Sequence, residues 1–377
     1  MQLTEGYKQT EVGSIPEDWD CYSVGSMIHS GLLEKPLDGN HGNIHPTSGD
    51  FVDHGIPFVM ANNVQDGRVD LDNCSCIRKE QADSLLKGFA MTGDVLLTHK
   101  ATIGNTAIVG KIPFPYIMLT PQVTYYRVSD QSSLSNLYLR HYFDSSSFQE
   151  ILKVKAGGGT RSYIGIQAQH QLPVALPPTK AEQEAIAGAL SDADAWIESL
   201  EQLIAKKRRI KEGTSQALLT GKQRLPGFSG EWEVKTLGDF TDCTAGGTPS
   251  TSNPNFWGGD IRWMNSGELN LRTVNEVAGR ITDEGLQNSS TKGIPKECIL
   301  IGLAGQGKTR GTVAINTVQL CTNQSIAAIF PNDSYESKFL YYNLDSRYEE
   351  LRELSAGDGG RGGLNLTLIR SLKIQFP

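Results

Sequence analysis

The sequence predicts a mixed α/β fold (α+β class) in two domains of the same architecture, with one long coiled-coil-type helix between them. The chain has 377 residues, enough for two or three domains that each bury a core. Its two halves repeat the same order of turns, strand-like runs and helical segments, and apolar residues alternate at intervals of four and three between them. We therefore predict domain 1 at residues 1–178, a helical spacer at 179–221 and domain 2 at 222–377.

The repeat opens each half with a turn, a tryptophan and a strand-like run, at residues 16–25 and again at residues 230–238. Short apolar runs flanked by turn residues follow in the same order, and such runs predict buried strands. We align residues 55–63 with 259–265, residues 94–98 with 297–301, and residues 120–122 with 322–324. The two halves are therefore predicted to share their strands.

Each half closes with a helix, a glycine-rich stretch and a final strand. Residues 137–154 and 339–354 have the apolar spacing of helices. The glycine-rich stretches after them both end in arginine, and the final strands match as well. These pairs are AGGGTR at 156–161 with AGDGGR at 356–361, and residues 172–177 with 372–377. The interiors of the copies differ, which suits two modules that perform the same task on different targets.

A long helix is predicted between the copies. It begins at Thr179, because residues 179–182 (TKAE) fit a capping box, in which the Thr hydroxyl and the Glu182 carboxylate accept hydrogen bonds from free backbone amides. Six apolar residues then follow the spacing of a coiled-coil seam. We call them the seam: Ile186, Leu190, Ala193, Ile197, Leu200 and Ile204.

The helix is expected to continue to Leu218 and Leu219, with Gly213 as its weakest position. Its length would be roughly 60 Å at about 1.5 Å per residue. A narrow seam predicts pairing with another helix, and we expect Leu218 and Leu219 to belong to the same partner surface. The alternative is a helix packed flat on its own domain, for which a broader apolar stripe is typical.

Composition limits the class of protein. With 38% hydrophobic and 20% charged residues, the chain is predicted to be globular. A formal net charge of −7 argues against indiscriminate coating of nucleic acid but leaves room for a local basic face. Because no apolar run approaches the roughly 20 residues of a membrane span and no signal peptide is recognisable at the start, we expect a cytoplasmic protein with no membrane contact.

No catalytic or metal site is predicted. The cysteines contain no CxxC pair, so free thiols are expected rather than a zinc site. They are Cys21, Cys74, Cys76, Cys243, Cys298 and Cys321. The sequence has no HExxH run, no nucleophile elbow and no carboxylate pattern of a nuclease.

Two motifs suggest other functions. Residues 302–309 (GLAGQGKT) fit GxxxxGK[ST], which cradles phosphates when it opens a helix, but the strand-like run after it argues against that context. A nucleotide-binding enzyme dependent on Lys308 remains the alternative function, and a coiled-coil scaffold is the third. Residues 253–256 (NPNF) depart by one residue from an adenine methyltransferase motif, and turn formation explains them.

The region around the predicted helix resembles the central conserved region of type I restriction-modification specificity subunits. The features that carry this resemblance are Leu176-Pro-Pro178, Glu182-Gln183, the seam, Lys211, LLTGK at 218–222, RLPGF at 224–228 and Trp232. The repeat around this region resembles the paired target-recognition domains of the same family. The resemblance therefore covers the whole chain.

The resemblance implies a subunit that binds double-stranded DNA at a bipartite target and has no catalytic site or cofactor of its own. In this family two methyltransferase subunits bind the conserved helices and methylate adenine with S-adenosylmethionine, and a motor-nuclease restriction subunit cleaves. Family members normally carry a second long helix after the second domain, antiparallel to the first. This sequence stops at Pro377, where that helix would begin. We therefore expect the seam to pair with another chain, either a second copy or the methyltransferase.

The expected DNA contacts are basic or amide side chains in loops of both copies, since these groups bind phosphates and base edges. The candidates are Lys100, Gln122, Arg161, Asn62, Asn63, Arg262, Asn265, Lys308, Arg310, Gln324 and Arg361. Arg161 and Arg361 have an equal alternative, the electrostatic capping of the preceding helix. The amides have the alternative of hydrogen bonds in turns and at strand ends. The basic residues 206–211 form either a solvated helix face or a surface near DNA.

Overall fold

The computed structural model describes residues 5–157, 162–305, 307–354 and 363–377, without the side chain of Asn43. The chain divides into two units, Met1–Leu200 and Glu201–Pro377. Each unit combines many short strands with a few helices. The predicted mixed α/β class is therefore confirmed.

Within its described residues, the first unit contains fifteen strands and five helices before the long helix. The strands are β1 Tyr7–Thr10, β2 Gly13–Pro16, β3 Asp20–Ser23, β4 Leu37–Asp38, β5 Phe51–Val52, β6 Ile56–Val59, β7 Val64–Gln65, β8 Arg68–Val69, β9 Cys76–Ile77, β10 Phe89–Ala90, β11 Val95–Lys100, β12 Thr102–Ile108, β13 Ile117–Leu119, β14 Val123–Tyr126 and β15 Pro173–Leu176. The helices are α1 Val24–His29, α2 Lys79–Asp83, α3 Asn136–Asp144, α4 Ser146–Ala156 and α5 Ile166–Gln169, with 3-10 turns at Gly42–Ile44, Ser48–Asp50 and Ala61–Asn63.

Two main sheets organise this unit. One has the order β10-β13-β6-β9-β5 and includes a parallel pair, β6 with β13, while the antiparallel sheet has the order β12-β11-β14-β4. The first three residues of β11 are apolar without alternation, as is typical of a strand with both faces buried. Val95 and Leu97 pack into one core, and Leu96 packs into another on the opposite face.

The long helix α6 spans Lys180–Leu219, so the predicted helix between the copies is confirmed. Only half of the expected capping box forms at its start. Thr179 Oγ1 accepts from Glu182 N at 3.2 Å, whereas the Glu182 carboxylate accepts from Trp19 Nε1 at 3.1 Å. The first turn is therefore fastened to the first unit rather than closed on itself.

Polar contacts continue this attachment along the helix. The buried side chain of Gln183 accepts from Ser135 N at 2.9 Å and donates to Ser133 O at 3.1 Å. Further along, Arg140 pairs with Asp194 at 3.1 Å, and Arg68 makes two hydrogen bonds to Glu198. The helix is thus held by the first unit as far as Glu198.

The described part of the second unit contains eleven strands and five helices after α6. The strands are β16 Glu233–Thr236, β17 Cys243–Ala245, β18 Trp257–Met264, β19 Thr273–Val274, β20 Gly279–Ile281, β21 Gly293–Ile294, β22 Ile299–Gly302, β23 Val313–Asn316, β24 Leu320–Thr322, β25 Ile326–Ile329 and β26 Lys373–Phe376. The helices are α7 Leu237–Phe240, α8 Asp283–Gln287, α9 Ser337–Asp345, α10 Tyr348–Leu354 and α11 Leu366–Arg370, with 3-10 turns at Pro254–Phe256 and Ser266–Leu271.

The internal repeat is preserved in the strand connections. The antiparallel order β12-β11-β14-β4 recurs as β23-β22-β25-β17, and the parallel pair β6 with β13 recurs as β18 with β24. The antiparallel pair of β3 with β15 recurs as β16 with β26. As in β11, alternate residues of β22 enter two cores, with Ile299 and Ile301 in one and Leu300 in the other. The two units therefore share one architecture, as the sequence predicted.

The structure corrects the alignment of two strand regions by one residue. Val95 pairs with Tyr126 where Ile299 pairs with Ile329, so Asp94 corresponds to Cys298 and not to Glu297. Likewise Thr120 N donates to Val59 O where Asn323 N donates to Met264 O. Gln122 therefore corresponds to Ser325 and not to Gln324. A slip of one residue would exchange the two faces of each strand, which the separate cores forbid.

The described parts of the chain hold neither a helix suited to a membrane nor a cluster suited to a metal. None of the helices there combines the length and apolarity needed to span a bilayer. No group of three or more His, Cys, Asp or Glu side chains in these ranges is arranged to hold a metal ion. All six cysteines are free, and burial raises the pKa of Cys74 and Cys298 to about 12. Such thiols are poor nucleophiles near neutral pH.

Candidate functional site

The end of β11 carries one of the predicted DNA contacts of the first unit. Lys100 is exposed at the last position of β11, and Ala101, with a φ of 70°, makes the tight turn into β12. A second segment, at Tyr163 and Ile164, packs against the same end of β11. Ile164 N donates to His99 O at 3.0 Å, and Tyr163 forms an antiparallel bridge with Lys100. Two separate segments thus form one polar edge of the unit.

A longer loop, residues 303–312, joins β22 to β23 in the second unit. Lys308 is exposed in this loop and Arg310 is half-buried. The Tyr348 hydroxyl donates to Lys308 O at 3.2 Å, so α10 supports the loop. Leu364 N donates to Leu303 O at 3.0 Å, as Ile164 does to His99 in the first unit. Lys100 ends a strand and Lys308 lies inside a loop, so the two candidate lysines do not occupy equivalent positions in the two units.

The GxxxxGK[ST] run is followed by strand β23, which begins at Val313. A phosphate-binding loop presents its backbone amides at the start of a helix, where they and the helix dipole stabilise the anion. Gln306, inside the run, lies outside the described residues. The strand context predicted from the sequence is confirmed, and it does not favour nucleotide binding.

Arg161 and Arg361 lie outside the described residues, so their contact with DNA stays a prediction. The residues that flank the first glycine-rich stretch are held together, because Ser162 Oγ donates to Gly157 O at 2.6 Å. In the second unit, Gly363 precedes the residue that docks on β22. The residues that follow the two stretches, Ile164 and Leu364, are therefore bonded to the ends of the corresponding strands, β11 and β22.

The neighbouring candidates Asn62 and Asn63 have different environments. Asn63 is only 3% exposed. Its Oδ1 accepts from Met60 N at 3.0 Å and its Nδ2 donates to Asn73 O at 3.4 Å. These contacts match the alternative of a turn hydrogen bonder. Asn62 is exposed on the same 3-10 turn and is accessible to a ligand.

Two other amides also stabilise local backbone. Asn265 caps the turn at Ser266–Leu271, where its Oδ1 accepts from Gly267 N at 2.8 Å. Gln122 is half-buried, and its Oε1 lies 3.4 Å from Ala61 N. In this conformation both side chains make the turn and strand-end contacts that the sequence analysis left as their alternative.

Gln324 and Arg262 are exposed or partly exposed but bonded to neighbouring side chains. Thr248 Oγ1 donates to Gln324 Oε1, which leaves the Gln324 amide nitrogen outside that bond. Arg262 makes two hydrogen bonds to Glu276, at 3.0 and 3.3 Å. These contacts, with Arg280, hold the pKa of Glu276 at about 2, the Arg262 hydrogen bond being the largest cause. The charge of Arg262 is therefore balanced within the protein.

A cluster of ionisable side chains around the buried Asp38 and His99, at the end of β11, was missed by sequence reasoning. Asp38 pairs with Lys87, lies 2.8 Å from His41 Nε2 and lies 4.0 Å from His99 Nε2. Burial acts to raise the pKa of Asp38, but its hydrogen bonds to Lys87 and His41 lower it below its ordinary value. Burial lowers the pKa of His99 against the attraction of Asp38. The only sequence signal was a histidine inside an otherwise apolar strand.

The exposed face of α6 differs from the predicted seam at both ends. Ile186 is partly buried and packs on the core of the first unit, so less of its side chain is open to a partner helix than the seam predicted. Leu218 and Leu219 are half-buried, and Ala193 is exposed. The remaining seam side chains, Leu190, Ile197, Leu200 and Ile204, are between 45% and 57% exposed.

Three further apolar residues widen this face. Trp196, Leu203 and Ile210 recur every seven residues beside the seam and are all exposed, Trp196 by 72%. We call the seven residues from Leu190 to Ile210 the α6 stripe: Leu190, Trp196, Ile197, Leu200, Leu203, Ile204 and Ile210. The stripe is broader than the seam predicted from alternating spacing, because it adds a third heptad position.

Comparison with known proteins matches this chain to one protein family. The family model for the type I restriction modification DNA specificity domain matches twice, at residues 16–207 and 229–377. A protein assigned as the type I restriction enzyme MjaX specificity subunit of Methanocaldococcus jannaschii is 24% identical, over 99% of this chain and 86% of that protein. The HindI specificity subunit of Haemophilus influenzae is 28% identical over 39% of this chain and 32% of its own length.

Solved structures show the same fold at low sequence identity. The S subunit of a type I restriction-modification system from M. genitalium has a TM-score of 0.55 at 16% identity, covering 100% of this chain and 86% of that one. A chain from a study of complex assembly and conformational transition of the type I system has a TM-score of 0.57, also at 16% identity, covering 96% and 87%.

Proposed function

Because the chain belongs to the type I restriction-modification DNA specificity family, with two target-recognition domains, we propose that it reads a bipartite double-stranded DNA target. Each domain reads one short segment, and unread bases separate the two. The functional divisions are residues 1–178, 179–221 and 222–377. The protein acts in the cytoplasm as the component of a larger complex that directs the other subunits to the DNA target.

The observation that carries this proposal is one strand frame kept twice with different side chains at the same strand ends. His99 and Lys100 meet Tyr163 and Ile164 at the end of β11, while Leu303 meets Leu364 at the end of β22. A constant frame with variable ends is what two readers of different sequences require. Base contacts specify the sequence, and phosphate contacts position the reader.

Among the predicted DNA contacts in the described residues, exposure favours Lys100 and Asn62 in the first domain. In the second domain it favours Lys308 and Gln324. Arg161, Arg310 and Arg361 stay candidates on their place in the sequence alone. Asn63, Gln122, Asn265 and Arg262 remain candidates only if their internal hydrogen bonds break on binding, which adds the cost of leaving a polar group without its partner.

The chain itself is proposed to be non-catalytic and to need no cofactor. Adenine methylation with S-adenosylmethionine belongs to methyltransferase subunits, and cleavage belongs to a restriction subunit. The exposed α6 stripe supports a helix-binding role for the spacer, since apolar side chains at three heptad positions suit a partner helix. A larger complex is therefore the working form.

Purification from the native cell tests the proposal. We expect a DNA methyltransferase to accompany this chain, and the complex to bind a specific duplex far more tightly than unrelated DNA at the same salt concentration. Selective affinity typically exceeds non-specific affinity by about 10³ or more. A complex that bound ATP through Lys308 but showed no preference among duplexes would refute it in favour of the nucleotide-binding alternative.

Association through the α6 stripe is a second expected result. Burying each large apolar side chain contributes about 1.5–3 kcal/mol, so the isolated protein is expected to be a dimer or larger by light scattering. The partner is either the same helix of a second copy or helices of the methyltransferase. Leu190→Asp and Leu200→Asp are expected to shift the isolated protein to monomer, because each introduces a charge into the contact.

Ala205→Asp is the matched control, since Ala205 is exposed on the same helix but lies away from the stripe. It is expected to leave the association unchanged. A monomeric wild-type protein that still binds the methyltransferase after Leu190→Asp and Leu200→Asp would show that the stripe is not a docking surface.

A further inference from the structure

The bridge between Lys100 and Tyr163 sets a cation and an aromatic ring side by side on the surface of the first domain. Directly opposed residues of an antiparallel pair present their side chains on the same face. Lys100 is exposed, and Tyr163 is 59% exposed although the next residue, Ile164, is buried in the core. We call these two residues the Lys100–Tyr163 pair.

The backbone that presents this pair is held by a buried polar network. Ile164 O accepts from Gln169 Nε2 at 3.0 Å and lies 3.0 Å from His99 Nδ1, which must carry a proton there because a carbonyl only accepts. The Tyr126 hydroxyl completes the network by donating to Gln169 Oε1 at 2.7 Å. Tyr163 is therefore attached to a residue whose carbonyl and amide are both fixed.

The described residues of the second domain form neither the pair nor the network. The hydrogen bonds to β11 and β22 make Leu303 the counterpart of His99 and Leu364 the counterpart of Ile164, so Gly363 takes the place of Tyr163. By strand pairing, Ile329 corresponds to Tyr126. Ile369 corresponds to Gln169, because the carbonyl of each accepts from the amide of the leucine three residues later, Leu372 or Leu172. The positions that form the hydrogen-bonded network in the first domain are therefore occupied by apolar side chains in the second.

Two further lysines lie in the last turn of α4, whose C-terminal end is bonded to the residue before Tyr163. Ser162 Oγ bonds to Gly157 O at 2.6 Å, which brings the end of α4 to the residue beside Tyr163. Lys153 and Lys155 are exposed in the last turn of that helix. An exposed tyrosine on a fixed backbone, with lysines nearby, suits the binding of nucleic acid. The tyrosine ring has few rotatable bonds, and its hydroxyl can both donate a hydrogen bond to a base and accept one from it.

We propose that the Lys100–Tyr163 pair determines part of the sequence preference of the first domain: Tyr163 contacts a base edge of its half-site, and Lys100 contacts the adjacent phosphate. This inference rests on the proposed function, since it assigns residues to one of its two half-sites. The second domain, which has glycine at the corresponding position, reads its half-site without such a contact.

The test is a map of methylated adenines in cells whose own copy of the gene is replaced by a variant. Tyr163→Ala is expected to relax the methylated motif at one position of one half-site and leave the other half-site unchanged. Lys100→Ala is expected to weaken binding of the purified complex about tenfold on all duplexes alike, with a salt dependence reduced by about one ion and the motif unaltered. Tyr7→Ala is the control, because Tyr7 is an exposed tyrosine in the hairpin of β1 and β2.

The outcomes separate this inference from the proposed function. If no bipartite methylated motif depends on this chain, the proposed function fails. If the motif depends on the chain but is the same in Tyr163→Ala as in the Tyr7→Ala control, the assignment of Tyr163 is wrong. The proposed function then still stands. Relaxation in both half-sites would also overturn the inference, because Tyr163 belongs to one domain.

Discussion

Gly39→Ala and Gly246→Ala are each expected to unfold their own domain at markedly lower denaturant concentration. A Cβ at Gly39 would lie 1.9 Å from Leu119 O, and one at Gly246 would lie 2.0 Å from Thr322 O. Both oxygens belong to the backbone of a strand in the parallel pair, β13 or β24. The clash therefore cannot be relieved by a change of side-chain rotamer. The loss is expected to be about 3 kcal/mol for each substitution, the upper part of the usual range for overpacking. Neither glycine has a positive φ, so the effect is purely steric.

Hydrogen exchange with mass spectrometry localises this loss. Gly39→Ala should accelerate exchange in the first domain only, and Gly246→Ala in the second only. Gly110→Ala provides the control, because no described atom lies within 4 Å of its added Cβ and its φ is not positive. We expect that substitution to change stability by no more than about 0.5 kcal/mol. Equal unfolding midpoints for Gly39→Ala and Gly110→Ala would contradict the close approach of these strands.

Arg127→Met is expected to destabilise the first domain by about 3–5 kcal/mol, because it leaves a buried carboxylate without its partner. Asp94 is 2% exposed, and Arg127 contacts both of its oxygens, at 2.9 and 2.7 Å. Arg127 also donates to Phe89 O at 2.9 Å and lies over the Tyr125 ring at 4.7 Å. A long apolar side chain replaces part of the packing but none of the hydrogen bonds.

The pH dependence of this loss follows from the same carboxylate. Burial already raises the pKa of Asp94 despite Arg127, and removal of the guanidinium raises it further. The folded variant then binds a proton more tightly than the unfolded chain, so its stability falls as pH rises through the folded pKa. The deficit against wild type should be largest at neutral pH and shrink in acid. Chemical denaturation at several pH values checks this.

The matched control for Arg127→Met is Arg262→Met, which removes an arginine from an exposed pair with Glu276. That change is expected to be small, since exposed pairs contribute little. The double variant Arg127→Met with Asp94→Leu should recover much of the loss, because no buried charge remains. A double variant as unstable as Arg127→Met alone would mean that lost packing, and not the carboxylate, causes the effect.

The sequence was enough to predict the order of elements but not their register. The apolar run at residues 95–97 of β11 is buried on both faces, so the residue types alone do not tell which residue faces which core. A second slip of one residue, between β13 and β14, made Gln122 and Gln324 look equivalent. Pairing across β14 and β25 settles the register, and that information lies far away in the chain.

Side-chain roles at the candidate site were harder to predict than the frame. Comparing the copies favoured residue types that recur, and so it overlooked Tyr163, whose counterpart is Gly363. It also placed Ile186 on an outward seam, because heptad spacing does not reveal that the first turns of α6 pack on their own domain. Under the proposed function, the positions at which the copies differ are the ones expected to set the target of each domain.

Exchange of the first domain tests the central claim most directly. Residues 1–178 are replaced by the corresponding domain of a relative with a different target, and methylated adenines are mapped in cells that carry the exchanged gene. Two independent readers predict that one half of the methylated motif changes to that of the donor and the other half stays as in wild type. A change in both halves, or in neither, would contradict the account.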